Sequence, residues 1–466
     1  MATNYKDFTD KKISSLFWQY ALPAIIGTTV NTLYNIIDGI FIGHWIGREA
    51  LSAAGLILPV MIIAAAIGLL VGVGSASRIS IFLGQKAQDK AERIIGSSFV
   101  LTLVLSGITL SILLIFIDPL LYLVGASEVT HNYAKQFLQI FLPGSLFLTL
   151  SFNYANMMRA CGYPLKAMLI ILSTVIANII LAPIFIKVFD WGMRGAALAT
   201  TLAMMLSFIL VMIHFTSKKS QVRLRLKNLR LDKESIIGIL SIGMSPFAMQ
   251  VATSVVVIFI NWQLNHYAPL SHISGDDAIA AFSNANRLIT FFVMIVIGIN
   301  QGMQPIIGYN YGAQNYARVK ETFFYAIKVA TIVTGVGFLL AMFIPNLLVS
   351  AFTAEQDMIN LSSTALRYIT LLFILIGFQM VATSFFQCIG MAKISIILSL
   401  SRQVLILLPT LYILPQFLGL DGVWLAPPVS DLLASVFAYL MLHWYFNSIK
   451  NRHGHVLTDP KQKIND

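Results

Sequence analysis

Hydrophobic positions run through the whole chain in long blocks, interrupted at intervals by short polar stretches. Each block approaches the ~20 residues that a membrane-spanning helix needs. The pattern predicts about twelve such helices, over 16–41, 51–76, 94–117, 134–158, 165–187, 193–215, 237–264, 278–302, 323–345, 366–390, 395–415 and 421–447. No polar segment between them is long enough to fold as a separate domain. The expected fold class is an all-α integral membrane bundle.

Composition agrees with the pattern. Of 466 residues 57% are hydrophobic and 11% are charged, against roughly 25% charged in soluble domains. The net charge of +11 would suggest nucleic acid in a soluble protein, but its distribution decides otherwise. Lys6, Lys11 and Lys12 precede the first block, and Arg78, Lys86, Lys90 and Arg93 lie at or after the second. Lys218, Lys219, Arg223, Arg225, Lys227, Arg230 and Lys233 follow the sixth, Arg318 and Lys320 the eighth, and Lys393 the tenth. Lys450, Arg452, Lys461 and Lys463 follow the twelfth. The alternate connections hold little beyond Arg48, Lys187 and Arg194. By the positive-inside rule both termini and the basic loops are cytoplasmic, in a multi-pass protein of the inner (cytoplasmic) membrane. The basic loops then contact lipid headgroups, and nucleic acid is not a partner. The first block is too long and too polar for a cleaved signal. Cys161 and Cys388 sit in cytoplasmic-side sequence, where no structural disulfide is expected. No metal-ligand spacing, cofactor signature or phosphate-binding loop is present, so neither an enzyme nor an ATP-driven pump is indicated. An ion gradient is the natural energy source.

The two halves of the chain resemble each other. "LSAAGLILPVMIIAAAIGLLVGVGSASRISIFLGQKAQDKA" from Leu51 lies over "IAAFSNANRLITFFVMIVIGINQGMQPIIGYNYGAQNYARV" from Ile279, with Gly84 on Gly312 and Gly74 on Gly302. Gly162 falls on Gly390 at the same offset, and Pro23 meets Pro246. The division is 1–215 and 237–447, two pseudo-symmetric six-helix halves joined by a basic linker over 216–236 and followed by a tail over 448–466. An even number of helices per half makes the repeat parallel, which places substrate between the halves near the midplane.

Polar residues inside apolar blocks are where chemistry is expected. In the first, Pro23, Asn31, Asn35 and Asp38 interrupt the run. A lone carboxylate in low dielectric favours its neutral form and needs only to gain and lose one proton. Sodium would want several hard oxygen ligands. Protonation at Asp38 and the weakened backbone at Pro23 together suggest a helix that bends with ion binding. Asn31, Tyr34 and Asn153 in the first half, with Gln250, Ser254, Asn261, Met294 and Asn300 in the second, form the candidate substrate-contacting set. Methionine and mixed polar groups suit promiscuous pockets. Arg287 and Arg367 are read as snorkelling to an interface, and Asp431 as interfacial.

"ALPAIIGTTVNTLYNIIDGIFIG", "SRISIFLGQKAQDKA", "MMRACGYP", "ANIILAPIFI" and "GAALATT" together resemble, in order, the multidrug and toxic compound extrusion (MATE) family. The resemblance covers nearly the whole chain. It implies a V-shaped twelve-helix antiporter, monomeric, that exports cationic or amphiphilic compounds in exchange for H⁺ or Na⁺. It also implies that Asp38 couples the ion, with Asn178 and Thr200 in the same polar cluster and Asn35 beside them. Relatives often read "LDPIFI" where this chain has Ala182, so a second carboxylate is missing. The segments 237–264, 278–302 and 366–390 hold no Asp or Glu, which favours a proton route through the first half. The alternative within transport is a flippase for lipid-linked saccharides, which should carry a strongly cationic cavity. A membrane-embedded enzyme should show convergent nucleophile, base or metal ligands, and a passive channel should show flux without coupling.

Overall fold

A computed structural model describes residues 5–123, 125–218 and 220–453. Lys219 and residues 454–466, with Lys461 and Lys463, lie outside the described residues, as do the side chains of Lys6, Asn35, Lys450 and Arg452. Among the described residues, eleven helices are long and apolar enough to cross a membrane, and a bent pair makes a twelfth span. We label the spans α1 (Ile13–Trp45), α2 (Leu58–Gly84), α3 (Gln88–Ile115), α4 (Glu128–Ala160), α5 (Pro164–Val188) and α6 (Gly192–Thr216). The second half contains α7 (Lys233–Tyr267), α8 (Gly275–Gly312), α9 (Tyr316–Phe343), α10 (Gln356–Ile369 with Phe373–Cys388), α11 (Ala392–Leu418) and α12 (Leu420–His453).

Most spans are longer than their apolar cores, because polar residues that pair inside the bundle let the helix continue. Ser77, Ser80 and Gly84 extend α2 past the expected end at 76 and are all buried. Its expected start at 51 is instead a separate short helix, Arg48–Leu56, since Pro59 suits only the first turn of a new helix. The expected helix over 366–390 begins ten residues earlier and is bent by 51° between Ile369 and Phe373. Thr370 lies at the bend and donates its hydroxyl to the Leu366 carbonyl at 2.6 Å, the back-bonding that bends helices. π-Helical turns interrupt α5 at Ile184–Val188, just past Pro183, and α11 at Ser401–Leu407, just before Pro409. Proline removes a backbone donor and crowds the preceding turn, and a wider turn accommodates both. In contrast, α1 runs unbroken through the buried Pro23.

The linker is docked on the first half. Arg225 Nε lies 2.9 Å from the buried Glu92 carboxylate, and Ser97 Oγ donates to the Arg230 carbonyl at 2.9 Å.

The two halves meet along the end that carries the basic loops. α2 packs on α7 there, and α1 on α8. Glycine makes the approach possible: a β-carbon on Gly243 would strike the Leu70 carbonyl, one on Gly74 the Ile239 carbonyl, and one on Gly298 the Ile25 backbone. The short helix Tyr5–Asp10 closes the same end from below. Phe8 stacks on Tyr309 with centroids 4.8 Å apart, and Arg318 Nε donates to the Phe8 carbonyl at 2.9 Å. Thr28 on α1 donates its hydroxyl across the seam to the Met294 carbonyl of α8 at 3.1 Å. Beyond that level, α1 and α8 carry exposed faces, including Ile36, Ile40 and Phe291. The bundle is a V, sealed at the basic end and open at the other.

Candidate functional site

Tyr34 and Asp38 stand one turn apart on α1, so their side chains leave the same face. That face meets α5 and α6, which bring Asn178 and Thr200. Asn178 Nδ2 donates to Tyr34 Oη at 3.2 Å and to Thr200 Oγ1 at 3.0 Å, and the two hydroxyl oxygens lie 3.3 Å apart. Thr200 donates its own proton to the Ala196 carbonyl at 3.1 Å. Tyr34 is therefore the donor in the hydroxyl pair, and every proton of the three groups is committed.

Two acceptors are left over. Asp38 Oδ1 and Asn178 Oδ1 are both buried without a hydrogen-bond partner among the described residues. Asp38 is close enough to act electrostatically on Tyr34. A buried polar atom without a partner costs about 1–3 kcal/mol, so each of these oxygens favours an incoming donor. Ala182, where a second carboxylate was considered, is fully buried among apolar neighbours. No three His, Cys, Asp or Glu side chains cluster as a metal site among the described residues.

The structure thus joins Tyr34, expected in the substrate-contacting set, to the polar cluster of Asn178, Thr200 and Asp38. The Asn35 side chain lies outside the described residues. The other substrate candidates divide by helix face. On α7, Gln250, Ser254 and Asn261 fall seven, eleven and eighteen residues after Gly243. These are whole numbers of turns, so they continue the face that touches α2 below. Met294 likewise continues the face of Gly298 and Gly302 on α8. Asn31 is exposed on α1. Asn153 is fully buried and donates to Thr102 Oγ1 at 2.9 Å, which ties α4 to α3. Asn300 faces away from the cleft and donates to the Met380 carbonyl of α10 at 3.4 Å.

The structure also corrects the reading of Asp431. It is only 3% exposed, and Arg402 Nε donates to its Oδ1 at 2.7 Å. Eleven residues into α12, it lies about 16 Å from the helix start, too deep for an interface. Its partner stands on the π-turn of α11, whose widened backbone holds Arg402 and accepts Ser430 Oγ at the Arg402 carbonyl, 2.8 Å away.

A family model described as MatE matches residues 23–184 and again 251–413, once in each half. The chain is 29% identical over 440 residues to a multidrug export protein, MepA, of Staphylococcus aureus (strain MSSA476), covering 94% of this chain and 95% of the relative. A MepA from Staphylococcus haemolyticus (strain JCSC1435) is 28% identical over 445 residues and 96% of both chains. The fold is similar to that of a multidrug resistance MATE transporter solved in an outward-facing conformation, with a TM-score of 0.90, 25% identity, and coverage of 97% of this chain and 99% of that one. A duplicated family match, a V of twelve spans and likeness over the full length of these relatives lead to one conclusion: the chain belongs to the MATE family of multi-pass membrane transporters.

Proposed function

We propose that this protein exports cationic and amphiphilic compounds across the cytoplasmic membrane in exchange for protons, with Asp38 as the coupling carboxylate. The relatives named as multidrug export proteins support multidrug export, and the cationic and amphiphilic cargo follows from the family resemblance. The observation that carries the coupling is the pair of orphan acceptors, Asp38 Oδ1 and Asn178 Oδ1, beside a hydroxyl–amide set with no proton to spare. One proton supplied from outside converts Asp38 into a donor and satisfies the cluster. Sodium would find few hard oxygens here beyond these two, a poor match to its coordination needs.

In this reading the basic end faces the cytoplasm, the monomer lies in lipid, and the V opens outward. Proton uptake changes what α1 can bond to on α5 and α6, and α1 bends where Pro23 already lacks a ladder bond. The glycine-lined seam at the basic end then opens while the outer cleft closes. One proton moving down a pH gradient of one unit contributes about 1.4 kcal/mol, enough for an about tenfold concentration ratio. A potential of 100 mV adds ~2.3 kcal/mol only for uncharged cargo, because one proton in for one monovalent cation out moves no net charge.

Reconstituted full-length protein in vesicles distinguishes the driving ion. Efflux of a fluorescent organic cation is expected under an imposed pH gradient and not under a sodium gradient of equal size. Flux that follows sodium alone would overturn the proton assignment.

A further inference from the structure

The contact face of α8 that passes through Gly302, Gly298 and Met294 continues upward through Phe291 to Arg287, eleven residues from Gly298. Arg287 therefore stands on the cleft side, above the contact of Thr28 with Met294. It lies twelve residues into α8, about 18 Å from the helix start. Its side chain is exposed and has no ion pair or hydrogen bond among the described residues. The guanidinium rests 5.8 Å from the centroid of the Phe352 ring, which orients it without neutralising it. Ser283, one turn above, is exposed and Thr290, one turn below, is half-buried.

No acid pairs with this guanidinium among the described residues, although Asp276 and Asp277 open α8 and Asp357 opens α10. The spans α7, α8 and the inner part of α10 contain no Asp or Glu between 237–264, 278–302 and 366–390. The buried carboxylate of this half, Asp431, is already held by Arg402. Gln250, Ser254 and Asn261 on α7 add amide and hydroxyl groups but no acid. Phe352 lies in the connection between α9 and α10, so the guanidinium reaches to the mouth of the cleft, in keeping with the snorkelling expected of it.

We propose that Arg287 is an anion-recognising position of the cargo site, and that it takes the carboxylate or phosphate of a zwitterionic amphiphile. The planar guanidinium offers two parallel donors to such a group, while the apolar cleft takes the rest of the molecule. This inference rests on the export reading and narrows its cargo class.

The test compares two dyes that differ in one group. Rhodamine 110 carries a free carboxylate, and rhodamine 123 is its methyl ester. Binding is measured by fluorescence anisotropy with the full chain in phosphatidylcholine nanodiscs. The ratio of affinities, rhodamine 110 over rhodamine 123, is expected to fall about tenfold in Arg287→Gln. It should be largely retained in Arg287→Lys, which keeps the charge and controls for folding. An unchanged ratio in Arg287→Gln overturns the proposal. Added phosphatidylglycerol should leave the ratio of the unmodified protein intact. If it removes the preference for rhodamine 110, Arg287 reads a lipid headgroup and the cargo assignment falls. An intact ratio with no gradient-driven flux of either dye brings down the export reading and leaves Arg287 as an anion site.

Discussion

The two halves of this protein repeat each other in sequence yet treat the carboxylates deep within their spans in opposite ways. In the first half, Asp38 has an oxygen without a partner, next to Tyr34, Asn178 and Thr200. In the second, Asp431 is closed by Arg402 at 2.7 Å. The carboxylates do not occupy equivalent places: laying Pro23 on Pro246 brings Asp38 onto Asn261, an uncharged amide on the cleft face. A buried carboxylate with a permanent cationic partner stays charged, because losing either member strands the other in low dielectric. One without such a partner can change state, because its neutral form is the better solvated there. The repeat supplies a symmetric scaffold, and under the proposed function the difference in pairing would leave exchange to one half and rigidity to the other.

Breaking the paired side should have the largest effect on stability. Arg402→Ala strands Asp431 and is expected to lower unfolding stability by about 3–5 kcal/mol, read as a lower thermal midpoint of the purified protein. Replacing both members with apolar residues of similar size should recover most of the loss. A harmless Arg402→Ala would mean that the pair holds nothing in place, and the contrast would disappear.

The unpaired side should respond in transport instead. Asp38→Asn removes no hydrogen bond at Oδ1, so its unfolding stability should stay within about 0.5 kcal/mol of the parent, while efflux driven by a pH gradient is lost. Adding Asn261→Asp to that variant sharpens the comparison. The repeat aligns Asn178 with Ile406, which offers no side-chain hydrogen bond, and Thr200 with Ser430, whose hydroxyl is already given to the Arg402 carbonyl. The double variant should therefore remain uncoupled. Restored coupling would show that any carboxylate in the cleft suffices.

The smallest effect is expected at an exposed carboxylate in the connection between α3 and α4. The hydrogen bond from Lys135, at 2.8 and 2.9 Å, and the His131 ring, at 3.1 Å, hold the Asp118 carboxyl below the usual carboxylate range. A depressed value in the folded state contributes stability that is present above the ordinary carboxylate range and lost as pH falls through the folded value. Asp118→Asn should thus lower the thermal midpoint slightly at neutral pH and leave it unchanged in strong acid. A larger change in acid than at neutrality would contradict the sign.

Much of the architecture was legible in the chain because lipid imposes a simple rule: apolar blocks of sufficient length become helices. Asp38 was legible for the same reason, as a carboxylate that interrupts such a block. Asp431 was misread, since its partner lies 29 residues away on another helix and the apolar run around it hides its depth. Gln250, Ser254 and Asn261 could not be told from Asn153 and Asn300 by type alone. What separates them is the rotation of each helix, set by where Gly74, Gly243 and Gly298 let backbones touch. The bend in α10 also escaped the sequence, because a threonine back-bond rather than a proline makes it.

Sequence alone determined the number of spans, their duplication and the lone carboxylate of the first block, because these follow from local hydrophobicity and spacing along the chain. Only the tertiary structure decided which polar faces meet, which carboxylate is paired, and that the V is sealed at its basic end. Those outcomes depend on close contacts between distant segments, where a missing side chain at one glycine and a single guanidinium at another helix settle the arrangement.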